Sequence, residues 1–202
     1  MDENSEGFSL QALQAGDRAE FARLVDRYSG PIYRLALKML GNSSDAEDVL
    51  QNTFLKAFQH LPAFEGRSSL STWLYRIASN EALMLIRKRR REVNLADAEA
   101  EDEQDAEISA PVQLTDWCCL PEEEFLSDES QDLLNRAVQR LPERLRIVFI
   151  LRDLQGLSIQ EAGEALGLSE TAVKTRLLRA RLRLREDLSA YYAERLGERS
   201  KK

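Results

Sequence analysis

Apolar side chains recur at spacings of three and four along most of the chain, and no segment shows the strict alternation of a strand. Phe21, Leu24, Val25, Tyr28, Ile32, Leu35, Ala36, Met39 and Leu40 trace one buried helical face. Gly30-Pro31 is expected to bend or interrupt that segment, since proline donates no N–H and its ring crowds the preceding turn. Gly41-Asn42 ends it. Ser44 with Glu47 has capping-box spacing for a second helix, which runs to about His60 with Val49, Leu50, Phe54, Ala57 and Phe58 apolar. After Pro62 and the polar loop Glu65–Leu70, a third helix starts near Ser71. It carries Trp73, Leu74, Ile77, Ala78, Ala82, Leu85 and Ile86, and ends in the basic run Arg87-Lys88-Arg89-Arg90-Arg91.

The far end of the chain reads as four helical pieces. Leu133 to Arg140 is halted by Leu141-Pro142, and Glu143 to Leu154 follows with Leu145, Val148, Phe149 and Leu151 inside. Ser158 with Glu161 makes a capping box for a short helix from Ile159 to Leu166. Gly167 suits a left-handed C-terminal position, and Ser169 caps a long helix from Glu170 to about Tyr192. The expected fold is all-α, two small helical domains over residues 8–91 and 131–192. An acidic linker (92–130) joins them, and a tail (193–202) follows.

Charge changes the picture more than composition does. The 202 residues carry a net charge of -7, yet residues 1–91 sum to +2, residues 92–132 to -15 without one Lys or Arg, and residues 133–202 to +6. Two near-neutral or basic blocks flank an acidic one, so the overall acidity does not argue against nucleic acid. The stretch Glu92–Glu107 buries too little apolar surface to offset ordering and reads as a solvated spacer. Its other reading is an acidic mimic of nucleic acid. Val112, Leu114, Trp117, Leu120, Phe125 and Leu126 give the rest of the linker docking potential.

Several function classes are disfavoured. A lone His60 excludes a multi-histidine metal centre, and the adjacent Cys118 and Cys119 supply no disulfide framework. No run approaches the roughly 18–20 apolar residues of a membrane span, and the acidic N-terminus resembles no secretory signal. With no glycine-rich nucleotide loop and no nucleophile–base pairing, we expect no enzyme, no cofactor, no small-molecule substrate, no membrane insertion and a cytoplasmic location.

Candidate chemistry concentrates in three places. From Ser158 to Arg185, two helices joined by Gly167-Leu168-Ser169 make a helix-turn-helix, with Ala162, Leu166, Leu168 and Val173 as its small core. Its second helix has no acidic residue between Thr171 and Arg185. Leu177, Leu184 and Leu188 form the buried stripe, while Lys174, Arg181 and Arg185 fan around the exposed side. Small polar residues at the start and cations along the flanks suit a major groove. The DNA-reading candidates are Ser169, Thr171, Lys174, Thr175, Arg176, Leu178 and Arg179. On the Asp45–Phe54 helix, Asp48, Gln51, Asn52 and Leu55 follow one face suited to a partner helix, although acidic residues there also favour the positive helix end. Finally, Trp73, Tyr75, Arg76 and Asn80 stand near a polar loop upstream of the basic run, as in proteins that hold unpaired bases. For Trp73 a core role competes with base stacking.

Together these pieces resemble the extracytoplasmic-function (ECF) group of bacterial sigma factors over about residues 8 to 192. The motifs are Tyr33-Arg34-Leu35-Ala36 with Leu40-Gly41, Asp45-Ala46-Glu47-Asp48 with Gln51 and Thr53-Phe54, and Ser71-Thr72-Trp73-Leu74-Tyr75-Arg76-Ile77-Ala78 with Asn80. They continue through Trp117 with Pro121-Glu122, Leu141-Pro142-Glu143, Leu151-Arg152-Asp153, Gly156-Leu157-Ser158 and Val173-Lys174-Thr175-Arg176-Leu177. Each is weak alone; in this order they are specific.

The resemblance implies that the first block is a region 2 domain. It would bind the clamp helices of the largest subunit of core RNA polymerase through Asp45, Asp48, Val49, Gln51, Asn52, Phe54 and Leu55. It further implies recognition and melting of a promoter -10 element by Arg67, Ser68, Ser69, Trp73, Arg76, Asn80, Arg87, Lys88 and Arg90, with Asn80 and the loop holding a flipped base. The last block would be a region 4 domain reading the -35 element and meeting the polymerase flap, and the connector would thread toward the RNA exit path. An anti-sigma protein is an implied partner. Two features depart from the pattern: Cys118-Cys119 beside Trp117, read as apolar packing or a redox sensor, and Glu170, which accepts from a cytosine amino group or merely favours the helix end. A stand-alone helix-turn-helix regulator is the rival reading. It leaves the Asp45–Phe54 face and the connector unused.

Overall fold

The computed structural model describes residues 7–94 and 128–199, and the regular elements among them are helices. Trp117, Cys118, Cys119, the Glu92–Glu107 spacer and the tail from residue 200 onward lie outside the described residues, or in the case of 92–94 are described only as helix backbone. The N-terminal unit contains α1 (Leu10–Gln14), α2 (Arg18–Leu40), α3 (Ser43–His60), a 3-10 turn (Leu61–Ala63) and α4 (Leu70–Asn94). The C-terminal unit contains α5 (Asp128–Arg140), α6 (Glu143–Phe149) running on as a π-helical turn (Ile150–Leu154), α7 (Ile159–Leu166) and α8 (Glu170–Arg199).

Helix α2 departs from expectation: it runs unbroken through Pro31. Leu24 and Tyr28 on one side of the proline, and Ile32, Leu35, Ala36 and Met39 on the other, are all buried against α3 and α4. Burying a large apolar side chain contributes about 1.5–3 kcal/mol, so this stripe outweighs the ~3 kcal/mol that an interior proline costs. Gly41 closes the helix in the left-handed region, at φ 71°. The next helix is capped by Asn42, whose side chain accepts from the Asp45 amide at 3.1 Å, and not by the Ser44–Glu47 box. Starting at Ser43 turns Ala46, Val49 and Ala57 into the core and Asp45 toward Arg89.

Short α1 was not evident from periodicity. It is capped by Ser9, and Gln14 Nε2 donates to the Phe64 carbonyl at 2.8 Å, bracing the loop before α4. In the C-terminal unit, the π turn is closed by the Gln155 amide on the Ile150 carbonyl at 2.9 Å. This wider turn keeps Ile150 and Leu151 fully inside and swings Asp153 toward α8.

The two units touch. Helix α7 packs on α4, while α5 and α6 pack on α2. Arg146 donates to the Met39 carbonyl at 2.6 Å, and also to the Gln139 and Leu141 carbonyls. Gln139 Nε2 donates to the Lys38 carbonyl at 2.6 Å, Lys38 reaches Asn135, and Arg90 pairs with Glu143 at 2.9 Å. Burial lowers the Arg146 guanidinium from its ordinary value, with nearby Glu143 opposing that shift and Arg90 adding to it. Burial likewise lowers the Lys38 ammonium.

Candidate nucleic-acid interface

The helix-turn-helix is built as its sequence suggests. The Glu161 amide donates to Ser158 Oγ at 3.1 Å and the Ser158 amide to Glu161 Oε2 at 2.7 Å, a complete capping box. Gly167 ends α7 at φ 66°, the Leu168 amide returns to the Gly163 carbonyl at 2.9 Å, and Ser169 Oγ caps α8 by accepting from Ala172 at 3.2 Å. Ala162 and Val173 are fully buried between the helices. Val173, Leu177, Ala180, Leu184 and Leu188 bury one side of α8, which leaves Thr171, Lys174, Thr175 and Leu178 exposed at spacings of three, one and three. Arg176 and Arg179 flank that strip, half-buried. Leu178 is 58% exposed, an apolar group on an otherwise polar and cationic surface. Such a group fits a thymine methyl.

Lys174 and Arg181 of this helix are engaged within the protein. Lys174 Nζ reaches Glu170 Oε2 at 3.3 Å on the surface. Arg181 donates to both Asp153 carboxylate oxygens, at 2.9 and 2.7 Å, and that contact raises its guanidinium above the ordinary value. Arg181 therefore anchors α8 to the π turn and does not fan freely with Arg185.

Along α4, Arg76, Asn80, Met84, Arg87 and Arg91 are exposed at spacings of four, four, three and four, one continuous stripe. Met84, at 57% exposure, was missed in the sequence; its spacing from Asn80 was the available signal. The basic run divides around the helix. Arg89 faces Asp45 on α3, and Arg90 faces Glu143 in the other unit, so Arg90 leaves the stripe it was grouped with. The run spans more than a helical turn, and its members cannot share one face.

The loop before α4 is likewise divided. Ser69 Oγ accepts from the Thr72 amide at 3.1 Å and contacts the Thr72 hydroxyl at 2.8 Å. Ser69 is thus the N-terminal cap of α4. Ser68 is half-buried, and Arg67 is exposed and paired with Glu65. Trp73 is half-buried, its ring 4.9 Å from that of Phe64, so it offers one edge outward while packing inward.

On α3, Asp48, Gln51, Asn52 and Leu55 form one exposed face, with Leu55 57% accessible. Val49 and Phe54 do not belong to it. Both are core residues, since a helix turns them 100° per residue away from that face. Asp45 is buried beside Arg89. Phe58 also stands partly exposed, edge-on to Phe21 with ring centres 5.0 Å apart. Lys56 and Glu81, 2.5 Å apart, tie this helix to α4. Among the described residues no cluster of three His, Cys, Asp or Glu could hold a metal ion.

Family models match both units, Sigma-70 region 2 over residues 24–92 and Sigma-70 region 4 over residues 131–184. The ECF RNA polymerase sigma factor SigW of Bacillus subtilis is 35% identical over 185 residues, 89% of this chain and 94% of its own length. The chain belongs to the sigma-70 family, in its ECF group. The ECF RNA polymerase sigma-E factor of Haemophilus influenzae is 33% identical over 85% of this chain and 89% of its own. Among solved structures, the sigma factor RpoE of Bartonella quintana, crystallised with the anti-sigma factor NepR, matches at 28% identity with a TM-score of 0.62, over 84% of this chain and 96% of that one. CnrH in complex with the cytosolic domain of CnrY shares the fold, with a TM-score of 0.63 at 24% identity. In this sigma factor the region 2 match holds the α3 face and the α4 stripe, and the region 4 match holds the helix-turn-helix.

Proposed function

We propose that this sigma factor binds core RNA polymerase, directs it to promoters bearing -10 and -35 elements, and helps open the DNA. The exposed strip Thr171, Lys174, Thr175 and Leu178 on a capped recognition helix carries the reading, because it presents short polar, cationic and methyl-binding groups together at groove spacing. Arg176 and Arg179 supply the flanking contacts to phosphate or base.

On this reading residues 8–91 form region 2, 131–192 form region 4 and 92–130 form the connector. Region 2 uses Asp48, Gln51, Asn52 and Leu55 against the polymerase clamp helices, and region 4 also meets the flap. Arg76, Asn80, Arg87 and Lys88 line the -10 strand, with Arg67, Ser68 and the edge of Trp73 beside it. Melting follows from trapping an extruded base, whose unstacking costs a few kcal/mol and is offset by contacts in the pocket. The protein catalyses no reaction itself and acts in the cytoplasm. Among its described residues no helix is long and apolar enough to cross a membrane. An anti-sigma protein holds it inactive, as the NepR complex of the Bartonella relative suggests by likeness.

Run-off transcription with bacterial core polymerase on a randomised promoter pool tests this. Transcripts enriched for two spaced motifs only when the protein is present are the expected result. No stimulation by folded protein with active core overturns it and leaves a stand-alone regulator.

A further inference from the structure

Between Thr171 and Arg185, helix α8 carries six Lys or Arg residues and no carboxylate, so Glu170 at its head stands apart from the surface that follows. Its charge favours the positive end of the helix, yet the cap itself comes from Ser169, whose Oγ accepts from the Ala172 amide at 3.2 Å. Glu170 reaches forward instead, with Oε2 3.3 Å from Lys174 Nζ. Both side chains are more than half exposed, and an ion pair so exposed adds little stability. Toward a phosphate backbone the carboxylate is repelled, and it offsets one of the helix's cations.

What distinguishes the pair is the face on which it stands. One helical turn separates residues 170 and 174, which makes them neighbours along one edge of the strip of Thr171, Lys174, Thr175 and Leu178. A recognition helix places its N-terminal residues against base edges in the major groove. There a carboxylate only accepts, and the donors it can meet are the amino groups of cytosine and adenine. Adenine presents its N7 acceptor beside that amino group, while guanine and thymine offer acceptors and no donor. Cytosine alone shows an amino group without an acceptor. Lys174 has the opposite chemistry, three donors and no acceptor, which suits O6 and N7 of guanine and leaves a proton for Glu170. The spacing also fits one base pair. Cytosine N4 and guanine O6 are joined by a hydrogen bond of about 2.9 Å, close to the 3.3 Å between the two head groups.

Resting on the sigma-factor reading, we infer that Glu170 is a specificity-determining residue that reads, with Lys174, one C·G base pair of the -35 element. The carboxylate takes the cytosine amino group and the ammonium takes the paired guanine. The same carboxylate rejects guanine and thymine at the cytosine position, where it would face an acceptor with no proton between them. Attraction to phosphate is thereby exchanged for selectivity.

The test uses holoenzyme assembled from the full chain and bacterial core polymerase, on templates carrying every single-base change of the -35 motif enriched in the randomised pool. Initial rates are read at subsaturating holoenzyme. Wild type should favour C·G at one position about tenfold over the other pairs, within the range of a good base contact. Glu170→Gln, whose amide can both accept from adenine N6 and donate to N7, should move that preference from cytosine to adenine. Glu170→Ala should flatten it and raise transcription from templates with guanine or thymine there. Unchanged preferences in both variants overturn the inference, as does a wild type that selects cytosine at no -35 position. Thermal unfolding of the variants adds a second readout: a lower Tm with all templates weakened alike assigns Glu170 to the helix end alone and overturns the inference. Wild-type protein that stimulates no transcript overturns the sigma-factor reading itself, and the role of Glu170 with it.

Discussion

Arg181 donates two hydrogen bonds to Asp153, Nε to Oδ2 at 2.9 Å and Nη2 to Oδ1 at 2.7 Å. The pair joins the recognition helix to the π turn that precedes the helix-turn-helix, and it withholds one cation from any phosphate. Arg181 is about half exposed, so the pair contributes only about 1 kcal/mol. Asp153→Asn is expected to lower Tm by a few degrees. It should also steepen the salt dependence of duplex binding by about one phosphate, a slope change near 0.9. Binding titrations from 50 to 200 mM salt measure this, and an unchanged slope shows that Arg181 never reaches the backbone.

Gly163 lies inside α7, where alanine is intrinsically favoured by about 1 kcal/mol. A Cβ there would stand 2.8 Å from the Leu168 carbonyl oxygen, a backbone atom of the turn itself. Overpacking of this kind costs about 1–3 kcal/mol. Gly163→Ala should therefore be destabilising, and it should weaken -35 duplex binding beyond its stability loss because Leu168 leads directly into the Ser169 cap. Thermal unfolding paired with duplex affinity decides whether the clash or the propensity wins.

These two relationships mark the boundary of what local sequence shows. The helix Ile159–Leu166, its capping box, Gly167 and the Leu177–Leu184–Leu188 stripe were legible because each depends on neighbours within one or two turns. The unbroken path through Pro31 was not, since burial on both sides outweighs the local penalty. Nor was the division of the basic run. Its members look equivalent in sequence, and only the packing of α3 and α6 sends Arg89 to Asp45 and Arg90 to Glu143. Gln139 and Arg146 carry no motif at all, because the Lys38 and Met39 carbonyls they reach lie in another unit.

Leu55 is a large apolar side chain left 57% exposed on the α3 face. Leu55→Asp should leave stability within about 0.5 kcal/mol, as expected of an exposed position. Its affinity for core polymerase should fall at least tenfold, because a charge would be desolvated at the centre of the contact. Titration of labelled protein with core polymerase checks this. Equal affinity would move the partner site off α3.

Arg176 flanks the recognition strip and is half-buried. If its guanidinium reads a base edge bidentately, Arg176→Ala should weaken the preferred -35 duplex by about 1–3 kcal/mol and relax selection at one base pair. If it holds phosphate, all duplexes should weaken alike and the salt slope should fall by about one contact. A panel of single-base variants of the -35 duplex separates the two.

Met84 sits in the α4 stripe between Asn80 and Arg87, apolar among amide and cations. A lone exposed methionine is unremarkable on a protein surface, but its position in this row aims it at the strand that Arg76 and Arg87 would hold. Apolar side chains placed between cations can wedge into base steps and offset part of the cost of unstacking. Met84→Ala should therefore leave stability and closed-complex affinity unchanged while slowing formation of permanganate-reactive open DNA several-fold. On a promoter pre-melted at the -10 element that defect should disappear, since the wedge is then no longer needed. A defect of equal size on duplex and pre-melted templates would show instead that Met84 only contacts the strand after it has opened.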